Sequence, residues 1–87
     1  MKADPLQVVP LLKTARGQID GILRMVEDDR YCVDIVNQVM ATQSVLQKTI
    51  KVIMRSHVEH CVKEALESGC GEEKMEELLQ TLDKLYR

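Results

Sequence analysis

Phenylalanine and tryptophan are absent from this 87-residue chain, and two tyrosines bring its aromatic content to only 2%. A core must come from Leu, Ile, Val and Met, which suits packed helices better than sheets, where aromatics are favoured. No run approaches the roughly 18 apolar residues of a membrane span. A basic start followed by an apolar core, the mark of a signal peptide, is missing as well. These absences predict a cytoplasmic protein without membrane contact. No nucleophile–base pair, phosphate-binding glycine loop or cleft-forming pattern is present, which argues against an enzyme and against a small organic substrate. Helix-turn-helix and zinc-finger signatures are missing too, so base readout has no assigned element.

Acidic excess is slight, with a net charge of −2. The acids cluster at Glu27, Asp28 and Asp29 and again from Glu59 onward, and none lies between Asp34 and Glu59. That window holds Lys48, Lys51 and Arg55. Three cysteines, an odd number, read as thiols or ligands rather than disulfides in a reducing compartment.

A chain this short forms one domain, residues 1–87, and buries too little alone, so self-association is expected. Val8, Leu12, Ala15, Ile19, Ile22 and Val26 recur at helical spacing. Asp4 is placed to cap this helix, with Pro5 at its first position and Gln7 completing a capping box. Pro10 opposes a helix through residues 5–9, because an interior proline loses a hydrogen bond. The expected helix is therefore about 10–28, with residues 1–9 looser, or one from residue 5 with a kink. Tyr31 to Ser68 contains no Gly or Pro and reads as one long helix, stopped by Gly69. Cys32, Ile35, Val39, Leu46, Ile50, Ile53, His57 and Cys61 lie on or near one stripe of it. A short third helix follows "SGCG" (68–71), with Glu72 and Glu73 suiting its N-terminus. Met75, Leu78, Leu79, Leu82 and Leu85 make its expected buried face. The fold class is all-α: three helices, the first two an antiparallel pair, closed by a second chain into a dimeric four-helix bundle.

His57 and Cys61 stand at i and i+4 and share a helix face. An imidazole and a thiolate so placed can grip one ion, but a core cysteine beside an edge histidine explains them equally well. Cys32 shifts the balance. It precedes His57 by 25 residues, roughly 37 Å along a continuous helix. One ion joins them only if two such helices run antiparallel, giving two symmetric sites. Two thiolates and an imidazole suit Cu(I) or Zn(II), and three ligands rank Cu(I) first, because structural zinc takes four. His60 stands off the His57–Cys61 line, and Cys70 reads as a bystander thiol.

"RGQIDGILRMVEDDRYCVDI" (16–35) together with "HVEHCVKEAL" (57–66) resembles the copper-sensing transcriptional repressors of the CsoR/RcnR family, over nearly the whole chain. The resemblance implies an all-α dimer of three-helix subunits that assembles into a homotetramer. It also implies binding of operator DNA without inducer and release when loaded. Cys32, His57 and Cys61 match the family's Cu(I) ligands, the first from one subunit and the other two from its partner. Tyr31 matches a tyrosine, and Glu77 best matches a helix 3 glutamate, that couple the site to DNA binding. Without the resemblance, Glu77 would read as part of a solvated face. A carboxylate there can accept the second ring N–H of His57.

Related sensors differ from this chain. Nickel and cobalt sensors carry N-terminal histidines, which this chain lacks. Persulfide sensors lack the histidine found here as His57, and formaldehyde sensors carry proline where Lys2 stands and lack Cys61. Cu(I) fits best, with a persulfide or other inducer as the alternative within the family. One departure concerns DNA. The family's pattern "RLKT-RG" reads "LLKTARG" here, with Leu11 at the arginine's place. Lys13 and Arg16 persist, and Lys48 occupies a basic position the family uses in helix 2. Lys48, Lys51 and Arg55 make a basic stripe able to hold phosphates, although an ordinary solvated face explains it equally well. The alternative of another class is a metal-buffering or interaction bundle that does not bind DNA.

Overall fold

The computed structural model describes residues 1, 3–68 and 71–85, apart from the side chains at positions 61, 65, 68, 71, 72, 74 and 85. It contains α1 (Pro5–Glu27), α2 (Cys32–Ser68) and α3 (Gly71–Leu85). At 1.5 Å per residue α2 is about 55 Å long, and the molecule measures 56 × 29 × 12 Å. It is a slab one helix thick, in which α1 and α3 each pack on α2.

Of the two starts expected for α1, the structure takes the one at Pro5 rather than the one near Pro10. The helix is continuous from Pro5, because its first turn is well capped. The Asp4 carboxylate accepts the Leu6 N–H at 2.9 Å, and the Asp4 carbonyl accepts from Gln7 and Val8. Pro10 then removes one amide donor from an otherwise supported helix. The capping box is not completed: the Gln7 side chain makes no return bond among the described residues, and the Asp4 side chain bonds the second amide rather than the third.

Between α1 and α2 the chain reverses in four residues. The Arg30 N–H reaches the Met25 carbonyl at 2.9 Å and the Asp29 N–H the Val26 carbonyl at 3.1 Å. This is a Schellman closure, with Asp29 at φ 53° where glycine is usual. A short acidic side chain tolerates that conformation better than most. The tight turn sends α2 back antiparallel to α1. Gly69 and Cys70, read as a helix stop and a bystander thiol, lie outside the described residues.

The seam between α1 and α2 is not the most apolar line of α2. Its buried residues are Val8 and Ala15 on α1 and Thr42 and Thr49 on α2, each pair seven apart as in coiled-coil packing. The threonine hydroxyls cost little there, since each donates to a carbonyl one turn back, Gln38 at 3.2 Å and Val45 at 2.9 Å. The α1 stripe splits: Val8 and Ala15 are buried, whereas Leu12, Ile19 and Val26 are exposed. On α3, Leu78 is buried and Leu82 half-buried, but Met75 and Leu79 are exposed, contrary to the expected buried face. Their companion Leu85 has its side chain outside the described residues. In a single slab α1 and α3 each have only α2 as a neighbour.

Candidate metal centre

Cys32 is the first residue of α2, and its free thiol is exposed. Tyr31 precedes it, 68% exposed, with its carbonyl accepting the Ile35 N–H. His57 lies 25 residues on, half-buried, and Cys61 follows one turn later. The Cys61 side chain lies outside the described residues. At 3.6 residues per turn, Cys32, His57 and Cys61 fall within about 40° of one another around α2. Val36, Val39, Leu46 and Ile50 lie on the same face between them, all exposed. The face is thus a mostly apolar ladder, interrupted by the exposed Gln43, with a soft donor at each end.

The two ends do not meet within the chain. Among the described residues no three His, Cys, Asp or Glu side chains gather as a metal site. The structure does bring His57 and Glu77 together. Both line a cavity of about 270 Å³ between α2 and α3, with Ile53, Met54, Leu78, Thr81 and Met1. Glu77 is held on α3 while its backbone carbonyl accepts from Thr81 at 3.0 Å. Neither ring nitrogen of His57 is paired with a described residue, so both are free for a metal and an orienting carboxylate. His60 is exposed, and its Nδ1 lies 2.8 Å from the Ser56 carbonyl, committing that nitrogen to the helix backbone. Nothing in the sequence reasoning singled out Met54, although its position three residues before His57 marks it as a neighbour on the helix surface.

Two soft donors on one chain's ladder ends, with a third beside His57, form a set that matches Cu(I) in chemistry. Within one chain it cannot close, because Cys32 and His57 stand roughly 37 Å apart along α2.

The basic residues occupy another face. Lys48, Lys51 and Arg55 are exposed, about a third of a turn around α2 from the ladder and from the α1 seam. Lys48 and Arg55 line an open groove of about 670 Å³ with Leu6, Pro10 and Leu11 of α1. Arg55 already meets Glu59 at 3.3 Å, an exposed pair of small energetic consequence. Lys13 and Arg16 are exposed on α1 and do not line this groove. No described helix is long and apolar enough to cross a membrane.

Several known proteins are similar to this chain in sequence and fold. The copper-sensing transcriptional repressor CsoR of Bacillus subtilis is 42% identical over 81 residues, covering 93% of this chain and 80% of that protein. The CsoR of Mycobacterium ulcerans is 44% identical over 71 residues, and the match spans 82% of this chain and 61% of the longer relative. The crystal structure of the copper-sensing repressor CsoR with Cu(I) from Geobacillus thermodenitrificans superposes with a TM-score of 0.88 at 34% identity, covering 95% of this chain and 86% of that one. The nickel-responsive regulator InrS superposes at 0.83 with 27% identity, covering 97% and 94%. The model of the metal-sensitive transcriptional repressors matches residues 6–84. This chain, an all-α regulator rather than an enzyme, belongs to the family of metal-sensitive transcriptional repressors.

Proposed function

We propose that this chain is a cytoplasmic, Cu(I)-responsive repressor that holds operator DNA when metal-free and releases it when loaded. The observation that carries this reading is the placement of Cys32 at one end of an exposed ladder and of His57 and Cys61 at the other, on one face of α2. A second copy laid antiparallel on that ladder covers its apolar residues and sets Cys32 of each chain beside His57 and Cys61 of the other. Two equivalent sites follow from the two-fold axis. Two such dimers make the homotetramer the family resemblance implies.

Bound Cu(I) supplies a strong preference for two thiolates and one imidazole in a compact geometry. Cys32 draws the start of one α2, with Tyr31 beside it, toward the far end of the other. His57 offers one ring nitrogen to the site, and Glu77 accepts the N–H on the other, fixing the ring. Their shared cavity supports this role for Glu77 and ties α3 to the state of the site. The DNA surface we assign is the stripe Lys48, Lys51 and Arg55, with Lys13 and Arg16 on α1. These residues would neutralise phosphates and give salt-sensitive binding. Loading and DNA binding are then linked through the way the chains meet.

Anaerobic Cu(I) titration with X-ray absorption should report two sulfurs and one nitrogen per copper. Gel shifts on the chain's own upstream DNA should show binding that Cu(I) abolishes. Tight Cu(I) binding with unchanged DNA affinity would overturn the mechanism. The metal-buffering alternative draws on one observation: Leu11 puts an apolar side chain in the groove beside Lys48 and Arg55. An absence of DNA binding at low salt would select it.

A further inference from the structure

The cavity between α2 and α3 holds more soft donors than an imidazole and a carboxylate. Met54 and Met1 also line it, with His57, and its remaining walls are the apolar Ile53 and Leu78 and the small polar Thr81. Met54 is half-buried on α2 one turn before His57. Methionine on an apolar wall is ordinarily a flexible filler. Here three facts coincide: two methionines border one cavity, Met54 half-buried and Met1 79% exposed, an imidazole with both nitrogens unpaired among the described residues shares it, and all its lining residues belong to one chain.

We infer that this cavity is an intrachain soft-metal site, in which the Met54 and Met1 thioethers and the His57 imidazole take up a monovalent soft ion before the intersubunit site is complete. The inference rests on the Cu(I)-sensing reading and deepens it. Thioethers are neutral, polarisable donors that select Cu(I) or Ag(I) over harder ions. They bind without releasing a proton, and no redox step is involved. The Cys32 thiol of a second chain and the Cys61 thiol of the same chain would then convert a weak thioether site into a tight thiolate site. His57 belongs to both, so the ion passes between them without leaving the imidazole. Selection begins inside one chain, ahead of the step that changes how the chains meet.

The test uses the 87-residue chain with ¹³C-methyl methionine, titrated anaerobically with Ag(I), both unaltered and as Cys32→Ala. There are five methionines, and Met→Leu substitutions at 25, 40, 54 and 75 assign them. In the Cys32→Ala chain, which cannot complete the thiolate site, the Met54 and Met1 methyl resonances should shift with the first equivalent of Ag(I), while Met25 and Met40 stay in place. Loading with Zn(II) should leave Met54 unmoved. A stationary Met54 methyl under Ag(I) would sink the inference, as would a shift that needs Cys32 or one that Zn(II) reproduces. Failure here is separable from failure of the sensing reading. A two-sulfur, one-nitrogen copper site with silent methionines removes only the intrachain site. Methionine shifts beside DNA affinity indifferent to Cu(I) remove only the repressor mechanism.

Discussion

The two ends of α2 carry candidate donors in opposite surroundings. Cys32 stands exposed in the first turn, beside an exposed Tyr31. His57 is half-buried in a cavity that α3 closes with Glu77, Leu78 and Thr81. The C-terminal end is a pocket the chain builds for itself, whereas the N-terminal end presents an open thiol. On the proposed reading, a site made from both would report on association, since it needs the pocket of one chain and the Cys32 of another.

The sharpest way to break this contrast is to remove each end in turn. Cys32→Ala should cost Cu(I) affinity more than the roughly 10–100-fold lost with an outer-shell partner. It should leave chain stability within about 0.5 kcal/mol, because the thiol is exposed. His57→Ala should cost comparable affinity and also about 1 kcal/mol of stability, since it empties a half-buried position against α3. Chelator competition and thermal unfolding measure both, and equal stability losses would erase the distinction. The ladder joining the ends comes next. Leu46→Glu places an unpaired charge on it twice per two-fold contact, which costs several kcal/mol once buried. Sedimentation should then show a monomer, and an unchanged mass would move the interface elsewhere.

Glu77→Gln probes the closed end alone. Cu(I) and operator DNA should both still bind, while the coupling between them falls by about 1–3 kcal/mol, the usual size of such linkage. DNA titrations with and without metal would detect it. Lys48→Ala tests the face that carries no donor: operator binding should weaken and its salt slope drop by about 1, with metal affinity intact. The smallest effect belongs to the far end of α1. Asp4→Ala removes the cap that lets the helix start ahead of Pro10, and should cost about 1 kcal/mol in chemical denaturation.

Much of the architecture was legible. The unbroken run from Cys32 to Ser68 marked α2, because nothing in it breaks a helix. The i, i+4 spacing of His57 and Cys61 marked a shared face. Less legible was the seam. Apolar periodicity pointed to the Cys32–Leu46–Ile50 stripe, whereas the chain buries Thr42 and Thr49 against Val8 and Ala15. Threonine looks polar in a pattern, yet its hydroxyl is satisfied by its own helix, and its compact side chain lets α1 approach. The Schellman turn at Asp29 was also hidden, since its usual signal is glycine. Pro10 misled about the start of α1, because one proline weighs less than a well-formed cap.

The sequence alone determined that three helices form and which residues share an angle about each axis: Cys32, His57 and Cys61 on one side of α2, and Lys48, Lys51 and Arg55 on another. Periodicity carries that information because rotation per residue is nearly constant. Only the tertiary structure decided which of those angles a neighbour occupies. It set α1 against the threonine line, left the apolar ladder open, and folded α3, with its Glu77, over His57 and Met54 but not over Cys32. Occupancy depends on turn geometry and on how closely two helices can approach, which no single helix's sequence pattern records.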